Sequence, residues 1–559
     1  MLKLKTLTFQ ILSTLLLYFT VHNFVNAQVS HETILQKVDS ICNDYGSPHY
    51  PGTAVLVVKD GEVLLNKGYG LANLEHEIPI TPTTAFDLGS VSKMFTGYAI
   101  SLLVERGKIS LADDIRQYIP ELPDYGNIIT IDHLLHHTSG LQNTIKLLSL
   151  GGWSFDDEIS TEQVLRLAYA QKKPNFLPGE NYEYSNTGYL LLAELVHKVT
   201  GLSFREWTQT NIFEPLEMTQ TMFVDDHATV IPNRAYSYFM NGLGGLGVSP
   251  NNSQVPGPGS LYSTTTDLAK WLQYVDNPGE KMKPVFDRMF QPGVLNNGKE
   301  IKVGFSVFVR DFKGTKWISH EGFWWSFASL LVHFPELHLS VVTLSNHAWM
   351  PYDIPREIAS LYLPENNVNN KAQSAKPKIE VSEMVLDSYL GTYRLSPGFY
   401  LTVTRKENQL FSNITFDGAE TFPMSAKSDS VFFIEDFRGK TITFLKDGSG
   451  QVNQVIYDEK PCPKVDNEPN PAPNLNDYLG NYFSNEIKTL YTVLVEDRQL
   501  KLNHLRIGPQ NLNHVRGDDF LVERWEPRFP KGMEFLRDEN GKVFAFSILN
   551  HRFVKVIEE

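Results

Sequence analysis

Phe86-Asp87-Leu88-Gly89-Ser90-Val91-Ser92-Lys93-Met94-Phe95-Thr96 reads as the end of an extended turn running into a helix, with Ser90 at the helix mouth. The helical pattern continues through Tyr98, Ile100, Leu102, Leu103 and Val104 and stops at Gly107, a usual helix end. Ser90 and Lys93 stand three apart and share one helix face. In the first turn of a helix, free backbone N–H groups favour developing negative charge. A lysine within reach can help take the serine proton if burial lowers its pKa. Alone, S-x-x-K is a weak pattern: a helix cap followed by a solvated lysine accounts for most isolated matches. The rest of the chain has to decide.

The chain has 559 residues, enough for two to four domains and a large core. Its composition, 42% hydrophobic and 20% charged, is that of a globular protein. A net charge of −14 argues against a nucleic-acid partner, which calls for a basic face. Lys3 and Lys5, the apolar-rich run Leu7 to Phe19 and Val25-Asn26-Ala27 have the pattern of a secretory signal peptide over 1–27. The expected location is therefore secreted or periplasmic. The run is too short to span a membrane, no longer apolar run follows, and no membrane span is expected. Two cysteines, Cys42 and Cys462, are not a disulfide framework, and whether they pair stays open.

In order, His31 to Tyr45 reads as an amphipathic helix. Thr53 to Lys59, the turn Asp60-Gly61 and Glu62 to Gly68 read as a hairpin. Ile131 to Leu141 reads as a short helix ending at Gly140. Its histidines, His133, His136 and His137, lack the acidic partner of a metal-binding H-E-x-x-H, so no metal or other cofactor is expected. Pro178 to Tyr189 is a turn leading to an apolar helix, and there Tyr184 and Asn186 can point the same way. A tyrosine beside a lysine loses its proton more readily, and an asparagine can donate to a substrate carbonyl; packing and turn roles explain the same two residues. Gly242 to Gly247 matches G-x-G-x-x-G literally, but Val248-Ser249-Pro250 cannot open the helix a dinucleotide phosphate needs. Strands are expected at Val303 to Val309, through Lys316 to Phe323, at Phe327 to Phe334 and at His338 to Leu344, with a closing helix over Met350 to Leu363.

Past a polar linker the chain repeats itself. Leu386-Asp387-Ser388-Tyr389-Leu390-Gly391-Thr392-Tyr393 returns about 90 residues later as Leu475-Asn476-Asp477-Tyr478-Leu479-Gly480-Asn481-Tyr482. Alternating strands in each copy suggest a small antiparallel barrel or sandwich. The expected division is a signal peptide 1–27, a main domain 28–363, a linker 364–379, a first barrel 380–460, a Pro-rich joint 461–473 and a second barrel 474–559.

Residues about 30 to 363 resemble the serine β-lactamase and penicillin-binding-protein superfamily. Ser90-Val91-Ser92-Lys93, Tyr184-Ser185-Asn186 and His320-Glu321-Gly322 stand in that family's order, with Ile131 to Leu141 and Ile212 to Met218 similar to its framework segments. The pattern resembles the class C enzymes, not the S-D-N and K-T-G version. The resemblance implies an α+β fold, an antiparallel sheet flanked by helices, with the N-terminal hairpin and the late strands in one sheet. Ser90 is then the acylated nucleophile, with Lys93 and Tyr184 sharing general-base work. Asn186, His320, Gly322, Phe323 and Trp325 face the substrate, and the N–H groups of Ser90 and Phe323 form the oxyanion hole. The third motif departs from the lysine version. His320 is largely neutral near pH 7 unless a neighbour raises its pKa, which weakens selection for β-lactams and for peptides ending in a carboxylate. The H-x-G form, followed by two small barrels, resembles D-aminopeptidases and related esterases or peptidases. Trp324 and Trp325 suit either an acyl pocket or packing beneath the strand, and Ser326 stands where relatives often have glycine.

The expected function is a secreted serine hydrolase acting through an acyl-enzyme on a small-molecule or peptide amide or ester, with D-amino-acid-containing peptides among the candidates. A β-lactamase or D-Ala-D-Ala carboxypeptidase is one alternative; a non-catalytic cell-wall or ligand-binding protein is another.

Overall fold

The computed structural model describes residues 32–43, 49–154, 156–241, 244–324, 326–348, 354–362, 379–415, 421–435, 440–457, 460–465, 472–523 and 531–556. The segment 1–27 read as a signal peptide, Trp325 and nearly all of the expected linker 364–379 lie outside the described residues. The chain divides into two compact units. The first is drawn from the residues up to Ile145 and from Ser154–Val368, the second from Lys146–Trp153 and Asn369–Glu559.

In the first unit, helix α1 (residues 32–43) precedes the hairpin β1 (Thr53–Lys59) and β2 (Glu62–Tyr69). Strand β3 (Phe86–Asp87) leads through a single 3-10 turn, Gly89–Val91, into α2 (Ser92–Glu105). Then come α3 (Ile131–Leu135), α4 (Asn186–Thr200), β4 (Leu261–Ser263) and α5 (Thr265–Asp276). Strands β5 (Phe308–Phe312), β6 (Thr315–Trp324), β7 (Phe327–Phe334) and β8 (Leu339–Ser345) and helix α6 (Ile354–Ser360) close the unit.

The sheet order is β5-β6-β7-β8-β1-β2, antiparallel throughout. The early hairpin and the late meander thus share one sheet, joined where Thr53 pairs with Ser345 and Lys59 with Leu339. Both faces are covered, which explains why β1 and β7 are apolar at nearly every position. Ala54, Leu56 and Val58 pack with residues of α2 and α5, whereas Val55 and Val57 pack with α1 and α6. Helix α2 is buried from Ser92 to Leu103, so every side chain over that span, polar ones included, lies in the core.

Two expectations in this unit need correction. Helix α3 stops at Leu135, not Gly140, because His137 takes a left-handed backbone conformation (φ 59°) that ends any helix. The strand expected at Val303 to Val309 is shifted to Phe308–Phe312. As expected, no helix follows the glycine-rich segment: Leu246–Ser249 is a strand paired with Ser237–Met240.

The second unit holds two closed eight-stranded antiparallel barrels, from Gly391–Ser396 to Lys460–Val465 and from Gly480–Ser484 to His551–Lys555. Lys460–Val465 is a barrel strand, so the joint expected at 461–473 begins only after Val465. The repeated Tyr-Leu-Gly-x-Tyr is a structural device. Tyr393 and Tyr482 donate to the carbonyls of Tyr389 and Tyr478, at 2.8 and 2.6 Å. Gly391 and Gly480 both have φ 138°, and a Cβ there would collide with the stems of Lys464 and Lys555. Each lysine then lies over the second tyrosine ring, 5.7 Å from its centroid. Buried aromatic and aliphatic side chains fill the cores, as in small barrels generally. Lys146–Trp153, expected within the main domain, belongs with this unit: the Tyr491 hydroxyl donates to the Leu150 carbonyl, and Arg506 stacks over Trp153. Cys42 and Cys462 are both buried free thiols.

Candidate active site

Sheet closure brings the three motifs together. The turn before Ser90 is pressed onto β6 and β7. The Ser329 hydroxyl donates to the Leu88 carbonyl at 2.6 Å. A Cβ on Gly322 would lie 2.0 Å from that same carbonyl oxygen, so only glycine admits the contact. Gly89, at φ 51°, is equally constrained: a Cβ there would lie 2.7 Å from the Phe323 nitrogen. The backbones of the Ser90 turn and the Phe323 end of β6 therefore touch.

The Lys93 amine lies 3.0 Å from the Ser90 hydroxyl and donates to the Pro258 carbonyl at 2.7 Å. Lys93 is 0% exposed. Among the described residues it has no carboxylate partner. Burial alone drives its pKa well below the usual lysine range, because an unpaired ammonium in the interior loses its hydration without compensation. The amine sits over the faces of Tyr184 and Tyr189, 4.9 and 5.8 Å from their centroids. Pro258 is placed by its neighbour Gly257, whose φ of 106° and close fit against the Tyr189 carbonyl suit glycine alone.

Tyr184 lies just ahead of α4, whose first residue is Asn186. Sequence suggested that a neighbouring lysine would ease proton loss from Tyr184. The reverse holds: burial raises the phenol's pKa, with only a partial offset from Ser90. Near neutral pH Lys93 is thus the group free to accept a proton, and Tyr184 keeps its own. Asn186 donates to the Asn143 side chain at 3.3 Å, and Asn143 in turn donates to the Tyr184 carbonyl at 3.3 Å. Sequence reading missed Asn143, since an asparagine in a turn carries no signal of its own. It also gave His137 no role. Its ring accepts the Ser185 N–H at 3.1 Å and lies against Tyr184, with centroids 4.5 Å apart. Burial, then the charge Lys93 would carry if protonated, keeps that imidazole neutral.

His320 is buried between the rings of Phe308 and Tyr184. Its Nδ1 lies 2.6 Å from the Glu321 carbonyl, which can only accept, so Nδ1 carries the proton and Nε2 presents a lone pair. Burial, and then the charge Lys93 would carry if protonated, push its pKa down to about 3. Arg310, whose charge also reaches His320, sits 3.6 Å from the Glu321 carboxylate. Phe323 is half-exposed beside this strand end, and the Trp324 indole N–H donates to Asn251 at 3.1 Å. Together the groups offer a serine, an uncharged amine to take its proton, a protonated phenol, and a neutral imidazole where a cation would attract a carboxylate.

A beta-lactamase family model matches residues 35–357. Penicillin-binding protein 4* of Bacillus subtilis (strain 168) is 27% identical over 451 residues, covering 72% of this chain and 95% of that protein. D-aminopeptidase of Gluconobacter oxydans (strain 621H) is 29% identical over 300 residues, covering 53% of this chain and 56% of that protein. Among solved structures, the octameric penicillin-binding protein homologue from Pyrococcus abyssi shares the fold, with a TM-score of 0.53 at 22% identity over 85% of this chain and 98% of that one.

Gly322→Ala should push the Leu88–Gly89 turn off the strand. Reactivity of Ser90 toward a serine-directed phosphonate is expected to fall about 100-fold, the usual result of displacing a reacting group by roughly 1 Å. A variant labelled at the wild-type rate would show that the close contact is unimportant.

Proposed function

The chain belongs to the β-lactamase family, a family of serine hydrolases, and from that premise we propose that it cleaves an amide or ester through an acyl-enzyme on Ser90. The observation that carries the proposal is the desolvated Lys93 amine at 3.0 Å from the Ser90 hydroxyl. In the forward step Lys93 takes the Ser90 proton as Oγ bonds to the substrate carbonyl carbon. The N–H groups of Ser90 and Phe323 receive the oxyanion. Collapse breaks the bond to the leaving group, which leaves with a proton supplied through the Tyr184 phenol and the Lys93 ammonium. Water then attacks the acyl-enzyme and gives a proton to Lys93, the bond from the acyl carbon to Ser90 Oγ breaks, Lys93 returns that proton to Oγ, and the carboxylic acid departs. Asn186 and Asn143 orient the substrate's amide.

The substrate we assign carries no carboxylate at the His320 end. A neutral imidazole with an open Nε2 lone pair suits an N–H or O–H donor and gives a carboxylate no opposite charge. D-amino-acid-containing peptides with a free amine fit that description, and the kinship with a D-aminopeptidase favours them. Export is part of the proposal, on the leader-like pattern of 1–27.

Intact mass after a fluorophosphonate probe tests the reading. One adduct is expected, absent in Ser90→Ala; no adduct on folded wild-type protein would favour a binding role. His320→Lys should raise kcat/KM for carboxylate-bearing substrates by about 10-fold, one favourable charge–charge contact, relative to D-amino amides. An unchanged ratio would remove His320 as the determinant.

A further inference from the structure

Asp87, three residues before the nucleophile and 1% exposed, takes no part in the chemistry above. One of its carboxylate oxygens accepts the Gly89 N–H at 2.7 Å, and the other accepts the Asn251 amide at 2.5 Å. The Asn251 side chain is fully used. Its nitrogen also donates to the Tyr262 hydroxyl at 3.0 Å, and its oxygen accepts the Trp324 indole N–H at 3.1 Å and the Ser253 N–H at 3.2 Å. One amide therefore ties together the Ser90 turn, β4 and the residue that follows Phe323 on β6. These are the two backbone segments whose N–H groups must face one oxyanion, and a donor displaced by a fraction of an ångström loses much of its effect.

We infer that Asp87 is a positioning residue for the oxyanion hole, acting through Asn251 and Trp324 as a brace that holds the Ser90 turn at fixed spacing from Phe323. The inference rests on the assignment of the Ser90 and Phe323 N–H groups proposed above. Two features of the brace bear on its strength. It is buried, where hydrogen bonds to a charged acceptor are strong and their loss leaves unsatisfied groups. Burial pushes the Asp87 carboxyl up to about 7, and the Gly89 and Asn251 donors pull against that shift, so these two bonds are what sustain the ionised acceptor. The brace is also directional. In Asp87→Asn an amide nitrogen confronts the Asn251 amide nitrogen, donor against donor. In Asn251→Asp two carboxylates confront each other. The double variant restores one donor and one acceptor with the direction reversed, and the carboxylate introduced by Asn251→Asp keeps acceptors for Trp324 and Ser253.

The test is the rate constant for phosphonylation of Ser90, read by intact mass in the wild type, both single variants and the double variant. Each single variant should be slowed at least about 10-fold, and the double variant should return to within about threefold of wild type. Single variants at the wild-type rate, or a double variant no faster than the slower single, would overturn the brace. If the single variants fail to fold, Trp324→Phe removes the indole donor while keeping an aromatic ring and should still slow labelling about 10-fold; labelling at the wild-type rate overturns the inference. If wild-type protein takes up no phosphonate, the hydrolase reading falls separately. The brace is then read from amide exchange, which Asp87→Asn should accelerate in residues 86–92 and 320–324 and the double variant should restore. Unchanged exchange in Asp87→Asn would overturn it.

Discussion

The structure depends on keeping one lysine dry. Lys93 lies on a helix buried along most of its length, beneath two tyrosine rings, with a serine hydroxyl and one backbone carbonyl as its hydrogen-bond partners. An ammonium in that position would forfeit several kcal/mol of hydration, so the amine gives up its proton readily. A carboxylate beside it would cancel the effect, and the described surroundings supply none. The adjacent imidazoles of His137 and His320 are held neutral by the same burial and by the charge Lys93 would carry. Desolvation thus sets a chain of protonation states: phenol protonated, imidazoles neutral, amine poised as base.

The fold serves that arrangement by bringing distant segments into backbone contact. Pairing of β1 with β8 joins the N-terminal hairpin to the late meander, and the meander delivers Gly322 and Phe323 to the Ser90 turn. Two glycines, Gly89 and Gly322, mark the meeting point, because the backbones approach more closely than any side chain permits. Hydrogen bonds from Ser329 to Leu88 and from Leu88 to Leu261 fasten the turn from either side. The same economy recurs in the barrels, where a glycine with positive φ admits a lysine stem over a tyrosine in both copies of the repeat.

Much of this was legible in the sequence because it was written in side chains at fixed spacing. Ser90 and Lys93 announced themselves three apart, Asp60-Gly61 marked the hairpin, and the strand Phe327–Phe334 with its Pro335–Leu337 turn followed the apolar run residue for residue. What stayed hidden depends on tertiary placement. The Pro258 carbonyl carries no side-chain signature, and Asn143, Asn251 and Asp87 look like ordinary turn residues until the fold sets them face to face. His137 read as part of a helix, because nothing local reveals its left-handed backbone. Pro461 and Pro463 disguised a barrel strand as a joint; closure onto the first strand uses Lys464 and Val465, beyond both prolines.

The most direct measurement is the pH dependence of Ser90 phosphonylation in the wild-type protein. If burial makes Lys93 the base, the rate should reach half its maximum at a pH well below 10.5, the value for an ordinary lysine, and should be level above it. A rate still climbing through pH 9 and 10, with a midpoint near 10.5, would show a solvated ammonium at this position and contradict the account.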